Sequence, residues 1–299
     1  MARRLLAIIL ALLFTFSYLP TALADDEEPQ FSDMPNNWSA TALKSAVANG
    51  LLEGYNGRIM PDAPLTRAQM ATIIVRAFGA TEEGDISAYE DVRKTDWFAG
   101  SIAKACKMGV IQGYNGKMYP NNSITREEAF AILARALKLK PSSSSNISFE
   151  DLDGISDWAR GEVFALINAG YVRGSNGRLN PKSSITRAEF AQVMYNVLRQ
   201  YITKAGEYTS VSDGNVMINV PGVTLKGVTV KGDLIIGDGV GDGDAVLDDV
   251  TVLGRLVVRG GGQNSIIIRG YSSIASVVVT RVDGAVRVKV EGDASVEVI

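Results

Sequence analysis

Three arginines stand at equivalent points of a recurring pattern. Arg67, Arg126 and Arg187 each follow a threonine directly, and each lies 29 residues after a tryptophan, Trp38, Trp97 or Trp158. A guanidinium is a planar fork of donors that matches a carboxylate. An indole face packs well on a sugar ring. Catalysis by side-chain nucleophiles finds little support. The chain has no histidine and one cysteine, Cys106. Ser-His-Asp and Cys-His catalysis and histidine metal sites are therefore excluded, and no intrachain disulfide can form. Cys106 lies in an apolar, helix-like stretch and is expected to be buried.

The elements that would hold these residues repeat three times. After each Trp come Gly50, Gly109 and Gly170, then Gly54, Gly113 and Gly174, then Pro61, Pro120 and Pro181, then Thr66, Thr125 and Thr186. Fixed spacing over so many landmarks marks a structural repeat. Apolar residues from Trp38 to Asn49, and from about Trp97 and Trp158, recur at helical spacing, with the first glycine of each block as the C′ residue. An Asn-Gly turn follows. Thr66-Arg67-Ala68-Gln69 and its counterparts read as capping boxes. They open amphipathic second helices over Arg67–Phe78, Arg126–Leu137 and Arg187–Leu198. Ahead of each Trp stand Phe31-Ser32-Asp33, Tyr89-Glu90-Asp91 and Phe149-Glu150-Asp151. Asp33, Asp91 and Asp151 are expected to cap the first helix, to form a turn, or to touch ligand.

These blocks resemble the S-layer homology (SLH) family, over about residues 31–200. The resemblance implies an all-α, pseudo-threefold helical bundle with grooves between the copies. It also implies a secreted protein of the cell wall, S-layer or cell surface, whose partner is a secondary cell-wall polysaccharide, typically bearing ketal-linked pyruvate. The pyruvyl carboxylate would meet Arg67, Arg126 and Arg187 beside the free N–H groups and favourable dipole of a helix N-terminus. Trp38, Trp97 and Trp158 are either sugar platforms or core anchors. Gly54, Gly113 and Gly174 would let backbone approach the ligand. Gln69 replaces the usual glutamate and Ser175 the usual tyrosine; neither is expected to touch an arginine, but both weaken any claim that the grooves bind equally.

The rest of the chain frames this module. Arg3 and Arg4, an apolar run and Ala22-Leu23-Ala24 read as a signal peptide over residues 1–24. The repeats then span 25–84, 85–145 and 146–202. Residues 203–299 alternate apolar and polar positions between Gly and Asp turns, as an all-β domain would. Val228-x-Val230 recurs as Val250-x-Val252, and Leu234-x-Ile236 as Leu256-x-Val258, both after 22 residues. That step suits a short parallel β-solenoid, with a β-sandwich as the alternative. Five aspartates in Gly237–Asp249 raise a calcium turn against a plain solvated loop. A net charge of −3 without a basic stretch argues against nucleic acid. No cofactor, catalytic residue or metal site is expected, and no membrane partner once the signal peptide is removed. Noncovalent wall anchoring is the leading function. A self-assembling surface-layer component and a wall-anchored carbohydrate-active enzyme are the alternatives.

Overall fold

Six α-helices build the first part of the molecule: α1 Ala40–Ala48, α2 Arg67–Phe78, α3 Ala99–Lys107, α4 Arg126–Ala136, α5 Asp157–Asn168 and α6 Arg187–Val197. The computed structural model describes residues 31–263 and 265–297. The signal-peptide segment lies outside them. Each capping box forms in full: the hydroxyls of Thr66, Thr125 and Thr186 accept from the third residue's N–H, and that residue's side chain accepts from the threonine N–H. The first helices have no side-chain cap. They stop where Gly50, Gly109 and Gly170 turn to positive φ of 66°, 71° and 77°, the left-handed region glycine enters without a Cβ clash.

The repeats close into a ring. Each first helix packs on the second helix of the preceding repeat: α3 on α2, α5 on α4, and α1 on α6. At the centre, Leu65 N–H donates to Ile185 O (2.9 Å), Ile185 to Ile124 (3.0 Å) and Ile124 to Leu65 (2.9 Å). All three side chains are fully buried. The amphipathic reading of the second helices understates their burial; eight of the eleven residues of α4 are buried, because this helix lies inside the ring.

The C-terminal part is a parallel β-solenoid of about four turns. One sheet is ordered β1 (Gln200–Ile202), β3 (Val216–Ile218), β6 (Leu234–Ile236), β8 (Thr251–Val258), β10 (Ser273–Val279) and β12 (Ser295–Val296), with β5 (Thr229–Val230) also on β8. The other runs β11 (Val288–Val290), β9 (Ile266–Arg269), β7 (Ala245–Asp248), β4 (Val223–Lys226) and β2 (Gly206–Tyr208). The 22-residue step is the pairing register itself: Val230 sits on Val252 and Leu234 on Leu256. Every strand pair is parallel, which rules out the sandwich alternative.

The solenoid and the bundle share a core. Met217, Ile235 and Val257 point out of the first sheet into the helical cluster. Polar side chains of the solenoid also reach the last carbonyls of the second helices. Asn219 Nδ2 donates to Ala77 O (2.7 Å), Arg259 Nη1 to Ala136 O (3.2 Å), Arg255 to Leu137 O (3.2 Å) and Lys138 O (2.9 Å), and Asn215 Nδ2 to Val197 O (2.7 Å). Helix ends leave such carbonyls without intrahelical partners. Strand β1 already starts at Gln200, inside the stretch assigned from sequence to the third repeat.

Candidate functional site: the inter-repeat grooves

Each second helix begins against the loop of the next repeat. Arg67 N–H donates to Asn122 O and Ala68 N–H to Pro120 O; Arg126 and Glu127 donate to Ser183 O and Pro181 O; Arg187 and Ala188 donate to Ala63 O and Pro61 O (2.9–3.0 Å). The Thr cap takes the next N–H. The expected free donors at these helix starts are thus already used, and that part of the anion site is corrected.

The arginines are also engaged across repeats. Arg67 donates through Nε to Met118 O (2.9 Å), through Nη1 to Glu128 (3.1 Å) and through Nη2 to Gln112 O (3.2 Å). Arg126 donates through Nε to Leu179 O (2.7 Å) and through Nη1 to Glu189 (2.7 Å). Arg187 donates through Nε to Ile59 O (2.7 Å) and through Nη2 to Glu53 O (2.6 Å). The glutamates come from the next repeat's capping box. The two counterparts of Gln69 thus each hold an arginine, a role not read from the sequence, whereas the hydrogen bonds of Gln69 go to Thr66. A guanidinium has five donors, so each arginine keeps some in reserve.

The aspartates hold the loops that hold the arginines. Asp33 accepts from Ile59 N–H (2.7 Å) and Met60 N–H (2.9 Å), Asp91 from Met118 (2.7 Å) and Tyr119 (2.8 Å), and Asp151 from Leu179 (2.8 Å) and Asn180 (2.7 Å). Met60, Tyr119 and Asn180 stand at φ of 52°, 53° and 54°, a conformation that costs non-glycine residues energy and needs outside support. The peptide whose N–H meets each aspartate turns its carbonyl to an arginine Nε. Of the expected roles, the aspartates take the turn-forming one and do not cap the first helices, whose N-caps are Ser39, Phe98 and Ser156. Burial raises the carboxyl pKa of Asp33 and Asp151, but the two backbone donors and the neighbouring Arg58 or Arg178 outweigh it and hold both below the ordinary value.

Gly54, Gly113 and Gly174 have a different cause from the one expected. A Cβ at Gly113 would meet Lys117 O at 2.3 Å and the Tyr89 ring at 2.5 Å; at Gly174, Arg178 O at 2.4 Å and the Phe149 ring at 2.5 Å; at Gly54 it would collide with the Phe31 ring. The repeat's own aromatic ring and turn fill that space, so close approach by a ligand is not what demands glycine.

The tryptophans are not core anchors. Trp38, Trp97 and Trp158 are 61%, 67% and 52% exposed. Trp158 lines a groove of about 620 Å³ with Arg67, Tyr114, Glu128 and Arg135. Trp38 lines one of about 470 Å³ with Arg126, Tyr171, Arg173 and Glu189. Each groove thus draws on all three repeats: the arginine of one, the turn and second helix of the next, the Trp of the third. Trp97, two residues ahead of α3, is the counterpart of these tryptophans in the second repeat, and α3 packs on α2, the helix of Gln69. Sequence reading missed Arg135, whose guanidinium lies 5.9 Å from the Trp158 ring centroid and pairs with Glu162 at 3.1 Å. It also missed Tyr114. Their signal was present, since both sit at fixed offsets from landmarks already aligned.

Two minor readings also change. Cys106 is half-buried, and desolvation pushes its thiol up to about 11. The aspartates of Gly237–Asp249 do not converge. Asp238 binds Arg259 (2.8 Å), Asp242 binds Arg281, Asp248 binds Arg269 (2.9 Å), and Asp249 accepts from Tyr271 N–H (2.7 Å). Among the described residues no three carboxylates or thiols form a metal-sized group.

The S-layer homology domain model matches residues 30–71, 88–130 and 148–191. These three blocks are S-layer homology domains. Proteins that carry them are surface or cell-wall associated, and this chain is one of them. Similar proteins include an amylopullulanase of Thermoanaerobacterium thermosulfurigenes, 32% identical over 62% of this chain and 10% of its own length. A surface-layer 125 kDa protein of Lysinibacillus sphaericus is 32% identical over 53% of this chain and 14% of its own. The S-layer protein sap of Bacillus anthracis is 28% identical over 60% and 22%. The chain therefore spans only a small fraction of these relatives. No helix among the described residues is long and apolar enough to cross a membrane.

Proposed function

We propose that the grooves between the S-layer homology domains hold this protein noncovalently on the wall by binding an acidic secondary cell-wall polysaccharide, with ketal-linked pyruvate as the charged group. The observation that carries this reading is the construction of each groove. An exposed indole from one repeat stands opposite a nearly buried arginine from another. Three exposed tryptophans at equivalent points are costly in water and suit sugar faces. The arginines act within a frame in which they also bind the repeats together. Wall anchoring and surface-layer membership agree with the S-layer relatives. The relatives named as enzymes align over only a small part of their length, so a binding role without catalysis is the simpler reading.

The exposed tryptophans give a cleaner test than the arginines, because replacing Arg187 also removes contacts to Ile59 and Glu53. Polysaccharide released from wall preparations should bind the full chain in calorimetry. Trp38→Ala, Trp97→Ala and Trp158→Ala together should weaken binding by about tenfold or more, as loss of stacked aromatic area does, with an unchanged melting temperature. Equal binding by the triple variant would remove the grooves from the mechanism.

A further inference from the structure

Resting on the wall-glycan reading, we propose that the three grooves are tuned by the last residue of the capping box, and that Gln69 makes the groove of Arg187 the one selective for a carboxylate. Glu128 uses one oxygen to accept from Thr125 N–H (2.8 Å) and the other to pair with Arg67 (3.1 Å). Glu189 does the same with Thr186 N–H (2.9 Å) and Arg126 (2.7 Å). Gln69 gives its oxygen to Thr66 N–H (3.1 Å). Its other terminal atom is an amide nitrogen, a donor that cannot accept from a guanidinium. Among the described residues, no carboxylate lies within 4.0 Å of Arg187, and its Nη1 makes no hydrogen bond.

Arg187 is also the buried member of the three. Asp33 is close enough to act on Arg187 but is paired with Arg58 at 3.4 Å, and Glu53 is paired with Arg76 at 2.7 Å, so each pair is neutral in itself. Arg173, at the second groove, is exposed and so hydrated. A ligand carboxylate entering the third groove meets a buried cation and an amide N–H with nothing in place. In the other two it must compete with a glutamate already on the arginine, and is repelled by it. Charge-assisted bonds in a sheltered site are the strong ones.

The chain has three tryptophans; Trp158 and Trp38 line the first two grooves and the repeat assigns Trp97 to the third, so their indole ¹⁵N–¹H signals read the grooves separately. The full chain would be titrated with a methyl hexopyranoside carrying a 4,6-pyruvate ketal, and with its carboxamide counterpart. The Trp97 signal should saturate at about tenfold lower acid concentration than those of Trp38 and Trp158, the size of one hydrogen bond to a charged group. The carboxamide should lose that preference. Gln69→Glu, which keeps the capping box and so the fold, should bring Trp97 into line with the others, and Glu128→Gln should move Trp158 the opposite way. Three coincident wild-type curves, unmoved by either exchange, would overturn the assignment to residue 69 and leave wall binding intact. No shift at any indole would overturn the wall-glycan reading itself.

Discussion

The two ends of the inner helices α2, α4 and α6 are built on opposite plans. At their N-termini all three use the same devices: a Thr box, an arginine, and carbonyls lent by the next repeat. At their C-termini each receives different side chains, all from the solenoid: Asn219 for α2, Arg259 and Arg255 for α4, Asn215 for α6. The first end is encoded in the repeat and keeps its symmetry. The second is met by a structure with no threefold axis, so the symmetry stops there. The symmetric end carries the grooves; the asymmetric end joins bundle and solenoid in one core.

The largest expected effect breaks the asymmetric end. The Arg259 side chain is fully enclosed, pairs with Asp238 at 2.8 Å, and lies 5.0 Å from the Phe78 ring centroid. Arg259→Met would leave Asp238 buried without its cation and should cost about 3–5 kcal/mol in urea unfolding. Adding Asp238→Asn should recover part of that loss. An Arg259→Met chain as stable as wild type would show that the solenoid contributes little to the α4 end.

A middle-sized effect tests the symmetric end. Thr66→Ala, Thr125→Ala and Thr186→Ala should each cost about 1 kcal/mol, the usual value of an N-cap. The three losses should agree to within a few tenths of a kcal/mol; a wide spread would mean that the ends are less alike than their hydrogen bonds.

The smallest effect depends on acid. Asp33 and Asp151 titrate below the ordinary carboxylate value in the folded chain. Their contribution is full above about pH 4, where the unfolded chain is also ionised. It fades as pH falls through the lower folded values. Thermal scans from pH 6 to pH 2 should therefore show a steeper acid loss for wild type than for Asp33→Asn with Asp151→Asn. Parallel curves would contradict the clamp assigned to these carboxylates.

Much of the symmetric end was legible in the sequence, because a repeat displays its caps three times at fixed spacing. Thr66, Thr125 and Thr186, the helix-ending glycines and the 22-residue solenoid step all came from local rules. What stayed hidden depends on contacts between distant residues. Nothing local says that Asp33 will brace a left-handed Met60, or that Ile59 O will receive Arg187. The tryptophans misled in part because large apolar residues are usually core, and here the ring of repeats turns them outward. The solenoid read as a separate domain because Asn215, Asn219 and Arg259 look like ordinary turn residues until the helix carbonyls they cap are known.

The most direct test of groove-mediated wall anchoring is co-sedimentation of the full chain with purified wall sacculi, before and after mild acid hydrolysis of the pyruvate ketals. Wild type should sediment with untreated sacculi and stay in solution with hydrolysed ones, and Trp38→Ala, Trp97→Ala and Trp158→Ala together should release it from untreated sacculi as well. Undiminished sedimentation of both proteins with hydrolysed sacculi would contradict the account.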